Sequence, residues 1–312
     1  GDGTVVAERI TEQSEEALTN AIRRAMVADE RIIAFTDGHQ EGELTGVDGA
    51  GFSILNGRLK ELNLQIEPVI KLDAGALEGV SLLAMIGPKI SLSAEAVAAV
   101  ARYLRGGGDL LLLVDPATQS GLEQLLRDEY DIDIGDNFVV DLSGLGQMFG
   151  ADVSVPVVLN YADHPITEGM ARGTMSFFPW ARSVSAVTQT GGATELMHTD
   201  RNAWGESDLG IVSGNGGEVD YNAESDAPGP LSLAVAVTAE ADSAAEGEST
   251  RIVVFGDTDF ASNQYFGEQA NGELIAGAIR WLAEGEGNLT IPAREPRFNP
   301  INLVGNAGST VL

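Results

Sequence analysis

The chain has 312 residues, 47 acidic against 18 basic, which gives a formal net charge of -29, and it contains no cysteine. A field of that sign repels phosphate backbones and anionic headgroups, so no nucleic-acid partner is expected. The missing thiols exclude disulfides, thiolate zinc sites and cysteine nucleophiles.

Hydrophobic residues make up 44% of the sequence and are spread along it, enough to bury a sizeable core. Lysine is much scarcer than arginine, and a dense carboxylate surface suits a salty medium, where it keeps a protein hydrated. The absence of cysteine fits an oxidising compartment. No run approaches the ~18 consecutive apolar residues of a membrane span, and no signal peptide opens the chain. Because it starts on Gly1 and ends on the apolar Val311 and Leu312, it is expected to be a soluble segment of something longer, with any anchor beyond these ends.

Glu15 to Val27 reads as an amphipathic helix, with Leu18, Ile22, Ala25 and Met26 on one face. Arg31 to Phe35 is a short apolar strand closed by Asp37 and Gly38, and Phe52, Leu55, Leu59 and Leu62 line one side of the next helix. Leu64 to Ile70 and Leu82 to Ile86 are strands. After the break at Gly87-Pro88, Ser93 is placed to cap a helix whose buried stripe is Val97, Val100, Ala101 and Leu104.

Gly106 to Gly108 stop that helix. Leu110 to Val114 is the unbroken apolar run of a central parallel strand covered on both faces, and Leu122 to Tyr130 and Phe138 to Val140 add a helix and a strand. Residues 142–230 lose this rhythm; with short β-prone pieces around Val155 to Leu159 and Met175 to Phe178, they read as a β-rich insertion. Leu231 to Val237, Ile252 to Phe255 and a helix bearing Ile275, Ala278, Ile279 and Leu282 restore the core. Residues 241–250 look like an exposed loop. The expected division is therefore 11–141 and 231–284 for an α/β core, 142–230 for the insertion and 285–312 for a tail toward a membrane anchor.

In an open parallel sheet, ligands bind outside the carboxyl ends of the strands. Asp37 and His39 follow the first strand, Asp115 follows Leu110 to Val114, and Asp257 and Asp259 follow Ile252 to Phe255. If those strands are neighbours the carboxylates converge, and oxygens with one imidazole suit a hard divalent cation. Aspartate is also the commonest residue to end a strand or cap the next helix, through hydrogen bonds to free amides. Which role these residues play, and whether any metal binds, is left open by the spacing.

No Gly-x-Ser-x-Gly elbow, Walker loop, His-Glu-x-x-His helix or Gly-x-Gly-x-x-Gly turn occurs, so the usual support for nucleotide and hydrolase chemistry is missing. His164, directly before Pro165, is placed to brace a turn. Of the three tryptophans, Trp281 falls in the apolar stretch of the last helix, whereas Trp204, in a Gly/Asp-rich loop, is a candidate stacking surface for a ligand.

Ile10-Thr11-Glu12-Gln13 with Leu18 to Ile22, then Gly38-His39, Gly87-Pro88, Gly107 to Pro116, His164-Pro165-Ile166-Thr167 and Phe255 to Asn263 follow one another in a familiar order. In this series the chain resembles the gliding-motility-type auxiliary component of ABC transporters, an uncharacterised ABC-type transport system, from about Ile10 to Leu282. The resemblance implies an extracytoplasmic domain flanked by transmembrane helices, partnered by an ABC permease and an ATPase subunit. It also implies a flavodoxin-like or class I glutamine amidotransferase-like α/β core, similar to intraflagellar-transport-type domains, with no catalytic activity and no cofactor.

Where that family commonly reads Gly-His-Gly-Glu, this chain has Gly38-His39-Gln40-Glu41, and where amidotransferase-like enzymes place a cysteine nucleophile it has Asp115-Pro116. The expected function is a non-catalytic binding or scaffold domain on the periplasmic face of the inner membrane, with an unidentified extracytoplasmic ligand. The alternatives are a metal-dependent hydrolase using Asp37, His39, Asp115, Asp257 and Asp259, and a carbohydrate or peptide receptor using the β-rich region.

Overall fold

In a computed structural model of the chain, the described residues are 32–61, 64–170, 173–188, 192–210, 220–242 and 249–284. The helix expected over Glu15 to Val27, the helical position Leu62 and the tail after Glu284 lie outside them.

The first part alternates strand and helix: β1 (Ile32–Thr36), α1 (Ser53–Glu61), β2 (Gln65–Val69), β3 (Val80–Ile86), α2 (Ala94–Arg105), β4 (Asp109–Leu113) and α3 (Glu123–Tyr130). There follow β5 (Ile132–Ile134), β6 (Phe138–Asp141), the short α4 (Leu145–Met148), β7 (Val157–Val158), β8 (Asn160–Tyr161), β9 (Ser176–Phe177) and β10 (Val184–Ala186). The chain continues through β11 (Ala193–His198), β12 (Ala203–Glu206), β13 (Ala227–Pro228), β14 (Ser232–Glu240), β15 (Ser249–Phe255), a 3-10 turn at Asp259–Ala261 and α5 (Asn271–Glu284).

Eight strands form one mixed sheet in the order β2-β1-β3-β4-β15-β14-β11-β8. The five from β2 to β15 pair in parallel, and β14, β11 and β8 each run antiparallel to the neighbour before them. The class is thus α/β with a large, mostly parallel sheet. Residues 142–230 supply β8 and β11 to the far side of that sheet, while β12 joins β13 and β6 in a small sheet of its own and β7 pairs with β9.

Period-two alternation divides the central strands between two cores. Leu111 and Leu113 of β4, with Leu82, Ala84 and Ile86 of β3, face one side together with Leu55 and Leu59 of α1 and Ile275, Ile279 and Leu282 of α5. Leu110 and Leu112, with Leu83 and Met85, face the other side beneath Val100 and Leu104 of α2, Leu126 and Tyr130 of α3, and Leu122 just before α3. Every β4 residue is buried, as an unbroken apolar run between two helical layers requires. Among the described residues no helix is long and apolar enough to cross a membrane.

Local chemistry sets the helix ends. Ser93 caps α2 by accepting the Ala96 amide on its hydroxyl at 3.3 Å. Glu123 gathers the Ser120 amide and hydroxyl and the Gly121 amide at 2.6, 2.8 and 2.9 Å, which fixes the turn into α3. Beyond α2, a Cβ at Gly108 would lie 2.2 Å from the Tyr103 ring, so the chain can pass there only as glycine. Trp281 is 7% exposed in the α5 core, and the His164 Nδ1 accepts the Ile166 amide at 3.2 Å, bracing the turn before it.

Candidate functional site

The carboxyl ends of β1, β3, β4 and β15 lie side by side in the sheet, and the residues leaving them form the candidate site. β1 ends in a loop folded on Glu41. The Gly38 and His39 amides donate to its Oε2 at 3.0 and 2.6 Å, and the His39 Nδ1 lies 3.3 Å from its Oε1. Burial opposes ionisation of Glu41, but the hydrogen bonds it accepts from these amides favour the charged form, and its pKa lies below the ordinary value. Gln40, at the apex, has φ of 60°, in the left-handed region that favours glycine. A Cβ at Gly38 would stand 2.2 Å from the Ile70 carbonyl oxygen, so this glycine lets the loop after β1 lie against the loop after β2. The Lys89 and Ile90 amides donate to the His39 carbonyl at 2.9 and 3.0 Å, tying the β1 loop to the segment after β3.

Beyond that segment the acids gather. The Asp115 carboxylate accepts the Thr258 amide and hydroxyl, each at 2.8 Å, bridging the ends of β4 and β15. Asp257 is fully buried and caps the 3-10 turn, its oxygens taking the Asp259 and Phe260 amides at 2.8 and 3.2 Å. Burial first, then the charges of Asp115 and Asp259, push the Asp257 pKa well up. Burial and Asp115 push Asp259 up to about 6 against the pull of Lys89. Asp115 itself is raised, by burial, although Thr258 hydrogen bonds and the Lys89 and Arg182 charges oppose the shift.

Arg182 comes from the irregular stretch before β10 and is 1% exposed. Its Nε donates to the Gly135 carbonyl at 2.7 Å, and its Nη1 to the Asp115 and Thr118 carbonyls at 3.1 and 2.8 Å. One planar cation therefore satisfies three carbonyls under the acid cluster.

Of the residues singled out in the sequence, the structure brings together Asp115, Asp257 and Asp259. Asp37 is exposed, and His39 is committed on one side to Glu41 and separated from the acids by the Gly87 to Lys89 segment. Among the described residues no group of three or more His, Asp or Glu is arranged to hold a metal ion. Each Asp257 oxygen accepts a backbone amide, and the Asp115 carboxylate accepts the Thr258 amide and hydroxyl. The expectation for Trp204 needs correction. It is 4% exposed, packs with Phe138 and Val140, and donates its indole N–H to Glu206 at 3.3 Å, so it offers no stacking face.

Sequence reasoning missed Arg182 and Lys89. A buried arginine in an irregular segment carries no periodic signal, and Lys89 earns its place only once β3 is known to lie between β1 and β4. It also passed over Lys71 and Asp73, which follow β2 just as Asp37 follows β1.

The family model described as ABC-type uncharacterized transport system, ABC_transp_aux, matches residues 30–280, most of the chain. The chain belongs to this family. The match spans β1 to α5 and so takes in the whole eight-stranded sheet. Among solved structures, the mmIFT52 N-terminal domain superposes with a TM-score of 0.61 at 19% identity, covering 82% of this chain and all of that one, a likeness of fold. A ThuA-like protein from Bacteroides uniformis (TM-score 0.47, 12% identity, 82% of this chain and 93% of that one) is also similar. So is a cytoplasmic protein from Salmonella typhimurium (0.46, 12%, 81% and 99%). None of the curated proteins compared with the chain matches it.

Proposed function

We propose that this chain is a non-catalytic, extracytoplasmic binding or scaffold domain that works with the permease and ATPase subunits of an ABC transporter. The observation that carries this reading is the family match over residues 30–280. The site chemistry agrees with it: the Asp257 carboxylate accepts two backbone amides and that of Asp115 the Thr258 amide and hydroxyl, and there is no cysteine to serve as nucleophile. The strand order β2-β1-β3-β4-β15 supports a flavodoxin-like core, in which β1 and β3 flank the point where the order reverses. A cysteine-free acidic chain is compatible with the periplasmic face of a membrane.

The test is affinity purification of the protein from its own cells after mild crosslinking, with the tag on this domain. Recovery of an ABC ATPase and a multi-span permease is the expected result. Repeated purifications that yield neither would overturn the transporter partnership. Calorimetric titration with calcium and magnesium separates this reading from a metal-dependent hydrolase, which requires divalent-cation binding that Asp257→Asn and Asp259→Asn abolish.

A further inference from the structure

A cavity of about 230 Å³ lies between the loop that follows β2, residues 70–74, and the outer face of α2, with His39 at its edge. Its floor is apolar and small: Leu72, Ala96 and Ala99 are 5, 6 and 5% exposed, and none carries a polar side chain. Its rim is charged with both signs. In a chain with 47 acidic residues and only three lysines, the rim holds Lys71, Arg102 and His39.

Not all of these charges are available to a ligand. Lys71 pairs with Asp73 at 3.2 Å, and the other Asp73 oxygen already accepts the Gly75 and Ala76 amides at 3.1 and 3.0 Å. His39 has its Nδ1 against Glu41. Glu95 and Arg102, in contrast, form no ion pair among the described residues. They sit at positions i and i+7 of α2 with Ala99 between them, on one helix face and about 10.5 Å apart along the axis. The pocket therefore presents an anion and a cation, unpaired among the described residues, at opposite ends of a short polar trough floored by Leu72, Ala96 and Ala99.

We infer that this trough binds a small zwitterion whose amine and carboxylate are several bonds apart, of the class of a dipeptide, with the amine on Glu95 and the carboxylate on Arg102. Length selects the class. An extended dipeptide spans about 7 Å, and a hydrogen bond of about 2.9 Å at each end brings the total to about 13 Å, a span that two long side chains rooted about 10.5 Å apart along the helix axis can bracket. A single α-amino acid, with both charges on one carbon, leaves one partner unmatched. This assignment does not depend on the transporter partnership.

The probe is L-alanyl-L-alanine, titrated calorimetrically into the protein beside its N-acetylated form, which lacks the amine, and its C-terminal amide, which lacks the carboxylate. The dipeptide is expected to bind at least tenfold tighter than either capped form. Glu95→Gln should erase its advantage over the N-acetyl form alone, and Arg102→Gln its advantage over the amide alone. Both positions are exposed, so an unchanged melting temperature without ligand confirms that the variants fold. Failure of the dipeptide to bind at millimolar concentration, equal binding of the capped forms, or binding indifferent to both substitutions overturns the inference.

Discussion

Thr258 donates both its amide and its hydroxyl to the Asp115 carboxylate at 2.8 Å, and so joins the ends of two strands that lie side by side in the sheet but far apart in sequence. The negative charge this fixes is felt by Asp259, whose pKa is raised to about 6 by burial and then by Asp115, with Lys89 opposing. A carboxylate titration followed by NMR is expected to place the Asp259 midpoint near 6. In Asp115→Asn, which keeps an acceptor for Thr258 but removes the charge, the midpoint should move down. A midpoint that stays put would assign the shift to burial alone.

The same shift sets a pH dependence of stability. Because the folded pKa of Asp259 lies above its ordinary 3.8, the native state holds this proton more tightly than the unfolded chain. Its stabilising contribution is complete below the ordinary value and is lost as pH rises through about 6. Asp259→Asn should therefore raise stability at pH 7 by about 1 to 2 kcal/mol, a figure reduced for the partial exposure of the group. It should also flatten the decline between about pH 4 and 6 in urea unfolding. Glu41 and Asp226, whose pKa values are lowered, act in the opposite sense: their contribution is lost as pH falls below the ordinary carboxylate range.

Gln40 occupies a left-handed conformation, the region that favours glycine. Gln40→Gly is expected to stabilise the protein by roughly 0.5 to 1 kcal/mol, the relief of strain exceeding the added freedom of the unfolded chain. Chemical denaturation checks the sign. A loss of stability would mean that the Gln40 side chain makes contacts worth more than its strain.

Arg182→Met keeps much of the volume but strands the Gly135, Asp115 and Thr118 carbonyls. A cost of about 3 to 5 kcal/mol is expected, seen as a lower urea midpoint at an unchanged slope. Arg182→Lys should recover little, since a compact ammonium cannot reach three carbonyls at once.

With a net charge of -29, self-repulsion in the compact state should be screened by salt. Raising sodium chloride from about 0.01 M to 1 M, which shortens the Debye length from ~30 Å to ~3 Å, is expected to raise the melting temperature. A flat curve would show that the charges are balanced locally.

Much of the sheet could be read from the sequence because Leu110 to Val114, Leu82 to Ile86 and Ile252 to Phe255 are apolar runs bounded by turn residues, and burial on both faces leaves such runs no other place. The Ser93 cap and the α5 stripe were legible for the same reason, since each is a local pattern. β8 and β11 were not: two residues at Asn160–Tyr161, and a strand whose Glu195 and His198 pair with each other at 2.7 Å, carry no alternation to recognise. The site was half legible. Position after a strand identified the acids, but whether a carboxylate faces a ligand or its own backbone depends on a turn two residues long. Trp204 misled because the glycines and aspartates beside it conceal a strand that buries it.

Strand β4 is flanked in the sheet by β3, which precedes it closely, and by β15, and the Arg251 amide that meets the Asp109 carboxylate comes 142 residues later. Until those residues have been synthesised, a wholly buried, leucine-rich strand keeps one edge open. A nascent chain halted before residue 249 would thus display an unpaired Leu-rich edge ready to capture another strand. Synthesis of this protein should for that reason benefit from a holding chaperone between the emergence of β4 and that of β15.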